Sequence, residues 1–286
     1  MAMPPPPPAL SDKPLEPGLY VVSTPIGNLR DITLRALDVL AVADLVLAED
    51  TRVTGKLLHH YGLKAKLERY DEHVAEFARP KVLAALRAGA RVALVSDAGT
   101  PLISDPGYRL VKAAAEEGLK VYPIPGASAL LAALAGAGLP TDRFLFVGFP
   151  PPKSAGRKAM FEELKAARAT LVFYEGGPRT ADSLTDMAAV FGAERPAAVA
   201  RELTKLHETF LRASLADLAA DPRLAAPKGE IVILVGPGEE VAASADDADR
   251  ALARMGPADA ASEVSKALGL NRRELYRRAL ELKGER

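Results

Sequence analysis

A chain of 286 residues exceeds one typical domain, so two compact lobes, with or without a small appendage, are expected. Its 37 basic and 37 acidic residues cancel, which excludes a global basic surface and confines any nucleic-acid contact to a local patch. With 49% apolar and 26% charged residues it should fold around a core, and the absence of cysteine excludes disulfides, thiolate metal sites and cysteine nucleophiles.

Residues 1–17 open with Met1 and carry the run Pro4 to Pro8, without the basic and apolar regions of a signal peptide, and are expected to be a disordered proline-rich tail. From Gly18 on, short apolar runs at 19–23, 45–48, 91–96 and 120–124 read as strands. Between them, 34–43, 74–88 and 108–117 carry apolar residues at helical spacing, with Gly89 and Gly118 where helices end. This alternation predicts an α/β fold with a largely parallel sheet. Residues 144–149 read as one more strand, giving an N-terminal α/β lobe over 18–150.

The proline cluster Pro150-Pro151-Pro152 then breaks the pattern, and a second α/β lobe is expected over 151–238. Its predicted strands are 170–174, 197–200 and 230–235, and its helices 157–167, 179–191 and 215–220. The acidic stretch 239–256 reads as a linker. Residues 257–286 have a helix-turn-helix pattern, with helices at 260–268 and 272–282 around Gly269-Leu270-Asn271. On the second helix Arg272, Arg273, Arg277 and Arg278 fall on neighbouring turns, opposite a stripe of Leu275, Ala279 and Leu282. Either a solvated hairpin or an RNA-docking surface fits this pattern. No run approaches the roughly 18 apolar residues a membrane span needs, so a soluble chain is expected. The four histidines stand in no ligand spacing, so no metal is expected.

Three loops follow predicted strands at the end where parallel α/β sheets bind ligands. The first is Ser23-Thr24-Pro25-Ile26-Gly27-Asn28-Leu29, where glycine permits close approach and Asn28 offers donors and acceptors. The second, 96–107, packs Asp97, Gly99, Thr100, Pro101, Asp105 and Gly107 into one long, highly specified connection. Asp97 and Asp105 are candidates to face the positive charge of a cationic ligand; of the two, Asp105 is assigned to capping the next helix, and the Gly99-Thr100 region to ligand. The third, Pro125-Gly126-Ala127-Ser128-Ala129, opens a helix with small residues. Taken singly, such a loop reads first as a turn that caps the following helix.

Together these loops resemble the tetrapyrrole methylase family over about residues 18–238. The resemblance implies a two-lobed α/β fold that holds S-adenosylmethionine in a cleft between the lobes, plus a small C-terminal helical hairpin. It carries ligand roles to Pro25, Ala98, Gly99, Thr100, Ile103, Ser128, Ala129, Glu175 and Thr204. The runs 24–29, Ala48-Glu49-Asp50-Thr51-Arg52 and 96–107 resemble the branch that methylates the ribose 2'-hydroxyl of a decoding-centre cytidine in 16S rRNA of the small ribosomal subunit. Gly99-Thr100-Pro101 stands where porphyrinoid methylases usually show Gly-Asp-Pro, a departure that speaks against a tetrapyrrole substrate. The resemblance also implies a cytoplasmic homodimer.

Methyl transfer to oxygen is an in-line displacement in which alignment does most of the work, and a nearby base helps to remove the hydroxyl proton. Glu49, Asp50 and Arg52, at a strand end, are the expected catalytic cluster, with Arg52 on a phosphate. Their structural alternative is a surface ion pair at a helix start. Lys205 is either a phosphate contact, alongside the four hairpin arginines, or simply solvated. Competing readings of the whole chain are a methylase of a tetrapyrrole or protein acceptor, and a non-catalytic ribosome-binding protein.

Overall fold

The computed structural model describes residues 14–102, 107–238, 256–268 and 271–283. The chain divides into two compact units, the larger holding two β-sheets and the smaller the C-terminal helices.

The first sheet has the order β3-β2-β4-β1-β5, built from β1 (Gly18–Val22), β2 (Leu45–Ala48), β3 (Leu67–Arg69), β4 (Arg91–Val95) and β5 (Val121–Ile124), all parallel. Alternate side chains of each strand enter different cores, because successive residues point to opposite faces. Leu19, Leu45, Leu47 and Leu94 pack with α3 (Ala75–Arg87) and α4 (Tyr108–Glu116). Tyr20, Val22, Val46 and Val95 pack with α1 (Leu34–Val42) and α2 (Thr51–His60). Such two-faced burial explains the unbroken apolar runs of β1 and β2. Gly89 and Gly118, the predicted helix-end glycines, take φ of +86° and +70°.

The second sheet is mixed, in the order β6-β7-β10-β8-β9, from β6 (Phe144–Gly148), β7 (Thr170–Gly176), β8 (Pro196–Arg201), β9 (Thr209–Ser214) and β10 (Glu230–Val235). On one face Phe161 of α6 (Ser154–Leu164) and Phe191 of α7 (Thr180–Phe191) meet Phe173 of β7. On the other, α5 (Ala129–Ala137) lays Leu130, Ala133, Leu134 and Ala137 against Val172, Ala198, Ala200 and Val232. The short helix α8 (Leu215–Ala220) follows β9.

The expected lobe boundary at residue 150 is corrected by this topology. Strand β6 pairs in parallel with β7, Phe144 opposite Thr170, and not with the first sheet. The chain has crossed already at α5, whose apolar face is covered by the second sheet. Helix α2, strand β3 and strand β9 are additions to the elements that periodicity predicts. β3 is three residues long and β9 only half-buried, so neither carries a run of apolar alternation.

In the smaller unit α9 (Pro257–Leu268) and α10 (Arg272–Lys283) form a hairpin. Ala260, Ala261, Leu275 and Ala279 are buried, and the Asn271 side chain accepts the Arg273 N–H at 2.9 Å to cap α10. The tail to residue 13, nearly all of the linker 239–256, and the loop residues Ile103 and Asp105 lie outside the described residues.

Candidate active site

The loops leaving β1, β4 and β5 are bonded into one assembly. Thr24 and Gly99 form an antiparallel bridge, with Thr24 N–H donating to Gly99 O at 2.8 Å and Gly99 N–H to Thr24 O at 3.1 Å. Thr24 Oγ1 donates to Ser96 O at 3.1 Å, and Ser96 Oγ to Gly99 O at 3.0 Å. Thr100 Oγ1 donates to Ala127 O at 3.2 Å, which leaves Ser23 Oγ as donor to Thr100 Oγ1 at 3.0 Å. Gly99 holds φ +89°, and a Cβ there would sit 3.1 Å from Ile26 Cγ2, so this turn favours glycine on conformational and packing grounds.

Beside this assembly lies a cavity of about 420 Å³. Six predicted ligand residues line it: Ala98, Gly99, Thr100, Ser128, Ala129 and Glu175. Ile26, Ile231, Val232 and the edge-on ring pair Phe149 and Tyr174, 5.7 Å between centroids, give it an apolar wall. Ile26, in the first loop, and Tyr174, at the end of β7, stand at ligand-side positions in the sequence; Phe149 and Gly229 carry no local motif, so the whole wall is visible only where four separate elements meet. Glu175 has a fully buried side chain, held by Arg179 at 2.6 Å, by the Ser183 hydroxyl at 2.5 Å and by the Gly176 N–H at 2.8 Å. It therefore fixes the end of β7 as well as lining the cavity.

Pro25 lines a neighbouring cavity of about 360 Å³, together with Gly27 and Lys205. Thr204 stands off both: it takes φ +66°, and its N–H donates to the Glu208 carboxylate at 2.6 Å. With Leu102 at φ +77° and Glu202 at φ +51°, it makes three non-glycine residues in the left-handed region among the described residues, all in loops beside the cavities. Asn28 is used locally, its side-chain Oδ1 accepting the Arg30 N–H at 3.1 Å.

A third, polar cleft of about 660 Å³ contains the expected catalytic cluster Glu49, Asp50 and Arg52, with Arg69, Asp71, His73 and Asp97. Glu49 also lines the 420 Å³ cavity. Asp50 caps α2 by accepting the Arg52 N–H at 2.8 Å, and both its oxygens receive the Arg52 guanidinium. Those bonds lower the Asp50 pKa to about 2, which makes Asp50 a weak proton acceptor and a strong holder of Arg52. Both parts of the structural alternative, ion pair and helix start, are thus realised in this pair.

Lys205 is not simply solvated. Its ammonium meets Glu202 at 2.9 Å and Glu230 at 3.0 Å, and its stem lies where a side chain on Gly27 would go. Burial works against the ammonium, but the two carboxylates outweigh it and raise its pKa. Arg272, Arg273, Arg277 and Arg278 are exposed on α10, Arg278 paired with Glu281 at 3.4 Å. Among the described residues no helix is long and apolar enough to cross a membrane.

Comparison with known proteins agrees with this architecture. Residues 18–219 match the family Tetrapyrrole (Corrin/Porphyrin) Methylases, and residues 242–283 match the RsmI C-terminal HTH domain. A protein of Mesorhizobium japonicum named ribosomal RNA small subunit methyltransferase I is 54% identical over 277 residues, covering 95% of this chain and 94% of its own. The protein of that name from Escherichia coli O157:H7 is 45% identical, over 93% of this chain and 96% of its own. Among solved structures, uroporphyrin-III-C-methyltransferase from Thermus thermophilus superposes with a TM-score of 0.54 at 25% identity, covering 76% of this chain and 93% of that one. Diphthine synthase does so with a TM-score of 0.58 at 14% identity, covering 76% and 89%. With its two sheets, its stitched loops and a match across most of its length, the chain belongs to the tetrapyrrole methylase family and, within it, to the group of the ribosomal RNA small subunit methyltransferase I proteins.

Proposed function

We propose that this chain methylates the ribose 2'-hydroxyl of a decoding-centre cytidine in 16S rRNA, using S-adenosylmethionine. The observation that carries the reading is the 420 Å³ cavity walled by the Gly99-Thr100 turn, the start of α5 and the end of β7, in a chain 54% identical to a protein named for small-subunit rRNA methylation.

The residues present fit the cofactor. The volume lies within the range of small-molecule sites. Small side chains at Gly99, Ser128, Ala129 and Gly176 keep one wall open to polar groups, and Ile26, Ile231, Val232 and the two rings offer a face for a flat base. Ser128, the N-cap of α5, makes no side-chain capping bond, so the first-turn N–H groups are not satisfied by it. A related uroporphyrin-III C-methyl transferase structure is described as complexed with S-adenyl homocysteine. When bound, S-adenosylmethionine supplies an electrophilic methyl group on a sulfonium.

Glu49, Asp50 and Arg52 lie in the adjoining polar cleft, where Arg52, fixed by Asp50, holds a backbone phosphate of the RNA. The four arginines of α10 give the smaller unit a local basic face on a chain whose total charge is zero, and we assign to it non-specific RNA contact. A cytoplasmic homodimer goes with this reading. Calorimetric titration with S-adenosylmethionine, followed by transfer of labelled methyl to small subunits lacking the modification, tests it. Micromolar binding and labelled RNA support the reading, and binding with label on protein or on nothing contradicts it.

A further inference from the structure

We infer that Asp97, at the carboxyl end of β4, orients the acceptor hydroxyl and receives its proton. The inference rests on the proposed ribose methylation and gives the acidic residue of the second loop a role in it.

Asp97 lines all three cavities described above, the apolar-walled one, the one beside Gly27, and the polar cleft. It adjoins Ala98, Gly99 and Thr100, so it is carried on the same turn that borders the proposed cofactor. Attacking oxygen and methyl carbon must come within about 3.5 Å, and a proton acceptor must reach the oxygen at that moment. Among the carboxylates of the polar cleft, only Glu49 and Asp97 also border the 420 Å³ cavity. Asp50 lies in the polar cleft but not on that cavity, and its oxygens are bound to Arg52. Asp97 is held differently: Oδ1 accepts the Asp50 backbone N–H at 2.9 Å. A carboxylate offers about four acceptor positions, so this single bond fixes the group without exhausting it.

The step balances. The acceptor oxygen takes the methyl group as the carbon–sulfur bond breaks with its electron pair left on sulfur, which becomes a neutral thioether. The hydroxyl proton passes to the Asp97 carboxylate and from there to water.

The test compares wild type with Asp97→Asn and Asp97→Glu. Asparagine retains an oxygen for the Asp50 N–H, so the brace survives and only the carboxylate is lost. The expected result for Asp97→Asn is a melting temperature and a calorimetric Kd for S-adenosylmethionine near those of wild type, with a single-turnover rate lower by about 100-fold or more. The residual rate should rise about tenfold per pH unit as hydroxide replaces the missing base. Asp97→Glu should recover part of the rate. An Asp97→Asn protein with an undiminished rate overturns the inference alone. So does one that loses affinity for S-adenosylmethionine but keeps it for S-adenosylhomocysteine, because the carboxylate would then serve the sulfonium. A wild-type protein that binds the cofactor and labels no small-subunit RNA overturns the functional reading, and the inference with it.

Discussion

Thr24 and Gly99 exchange two backbone hydrogen bonds between the loops that leave β1 and β4. Neighbouring strands of a parallel sheet diverge into separate helices, so nothing in the sheet itself joins their end loops. This bridge and the hydroxyls of Ser23, Thr24, Ser96 and Thr100 tie the Gly99-Thr100 turn that borders the cavity into a single hydrogen-bonded unit. A turn set before ligand binding reduces the ordering cost of binding.

Thr100→Val keeps the shape of the side chain and removes its bonds to Ala127 and Ser23. Each such bond contributes about 1 kcal/mol, so the melting temperature should fall by several degrees, with weaker binding of S-adenosylmethionine as the turn loosens. Calorimetry on the pair of proteins checks this.

Gly99→Ala forces a side chain into φ +89° and toward Ile26. Strain of about 1–3 kcal/mol is expected, read as a lower melting temperature together with weaker cofactor binding. An alanine variant as stable and as tight-binding as wild type would show the turn to be freer than its geometry indicates.

Glu175→Gln keeps the size of a side chain with none of its surface exposed but removes the charge that Arg179 meets at 2.6 Å. Loss of one partner of a buried pair costs several kcal/mol, about 3–5 when the other charge stays buried. Arg179 retains 35% exposure, so the lower part of that range or less is expected, measured by denaturant unfolding.

Most of the first lobe is legible in the sequence. β1, β2 and β4 are buried on both faces and read as apolar runs, and Gly89 and Gly118 mark their helix ends by adopting positive φ. The membership of β6 is not legible, because a strand's sequence records its burial and not its neighbour; pairing with β7 becomes visible only once α5 is seen against the second sheet. In the site, Gly99, Thr100, Ser128 and Ala129 can be read from loops placed after strands. The aromatic wall and the junction position of Asp97 cannot, since they arise from residues distant in sequence that meet only in the folded lobes.

The Asp44 carboxylate, at the start of β2, holds Arg91 at the start of β4, and the bonds from Arg91 lower its pKa to about 2. The folded value lies below the unfolded one of about 3.9. Its stabilisation is thus present above about pH 4 and is lost as pH falls toward about 2. With Asp44 44% exposed, the pair should contribute under about 1 kcal/mol. Asp44→Asn should unfold slightly more easily than wild type at neutral pH, with the gap closing as the solution is acidified.

Replacing Arg272, Arg273, Arg277 and Arg278 with glutamine should leave cofactor affinity unchanged and weaken RNA binding. The salt dependence of that binding should flatten by about one unit of slope for each phosphate that an arginine no longer neutralises. An unchanged slope would make α9 and α10 a hairpin without an RNA role.

Nuclease mapping of labelled methyl on unmodified small subunits, incubated with the protein and S-adenosylmethionine, tests methyl transfer to one ribose hydroxyl of small-subunit RNA. One label on the 2'-oxygen of a cytidine in the decoding region is the expected result. Label on a base or on a ribosomal protein, or none from a protein that binds the cofactor, would contradict it.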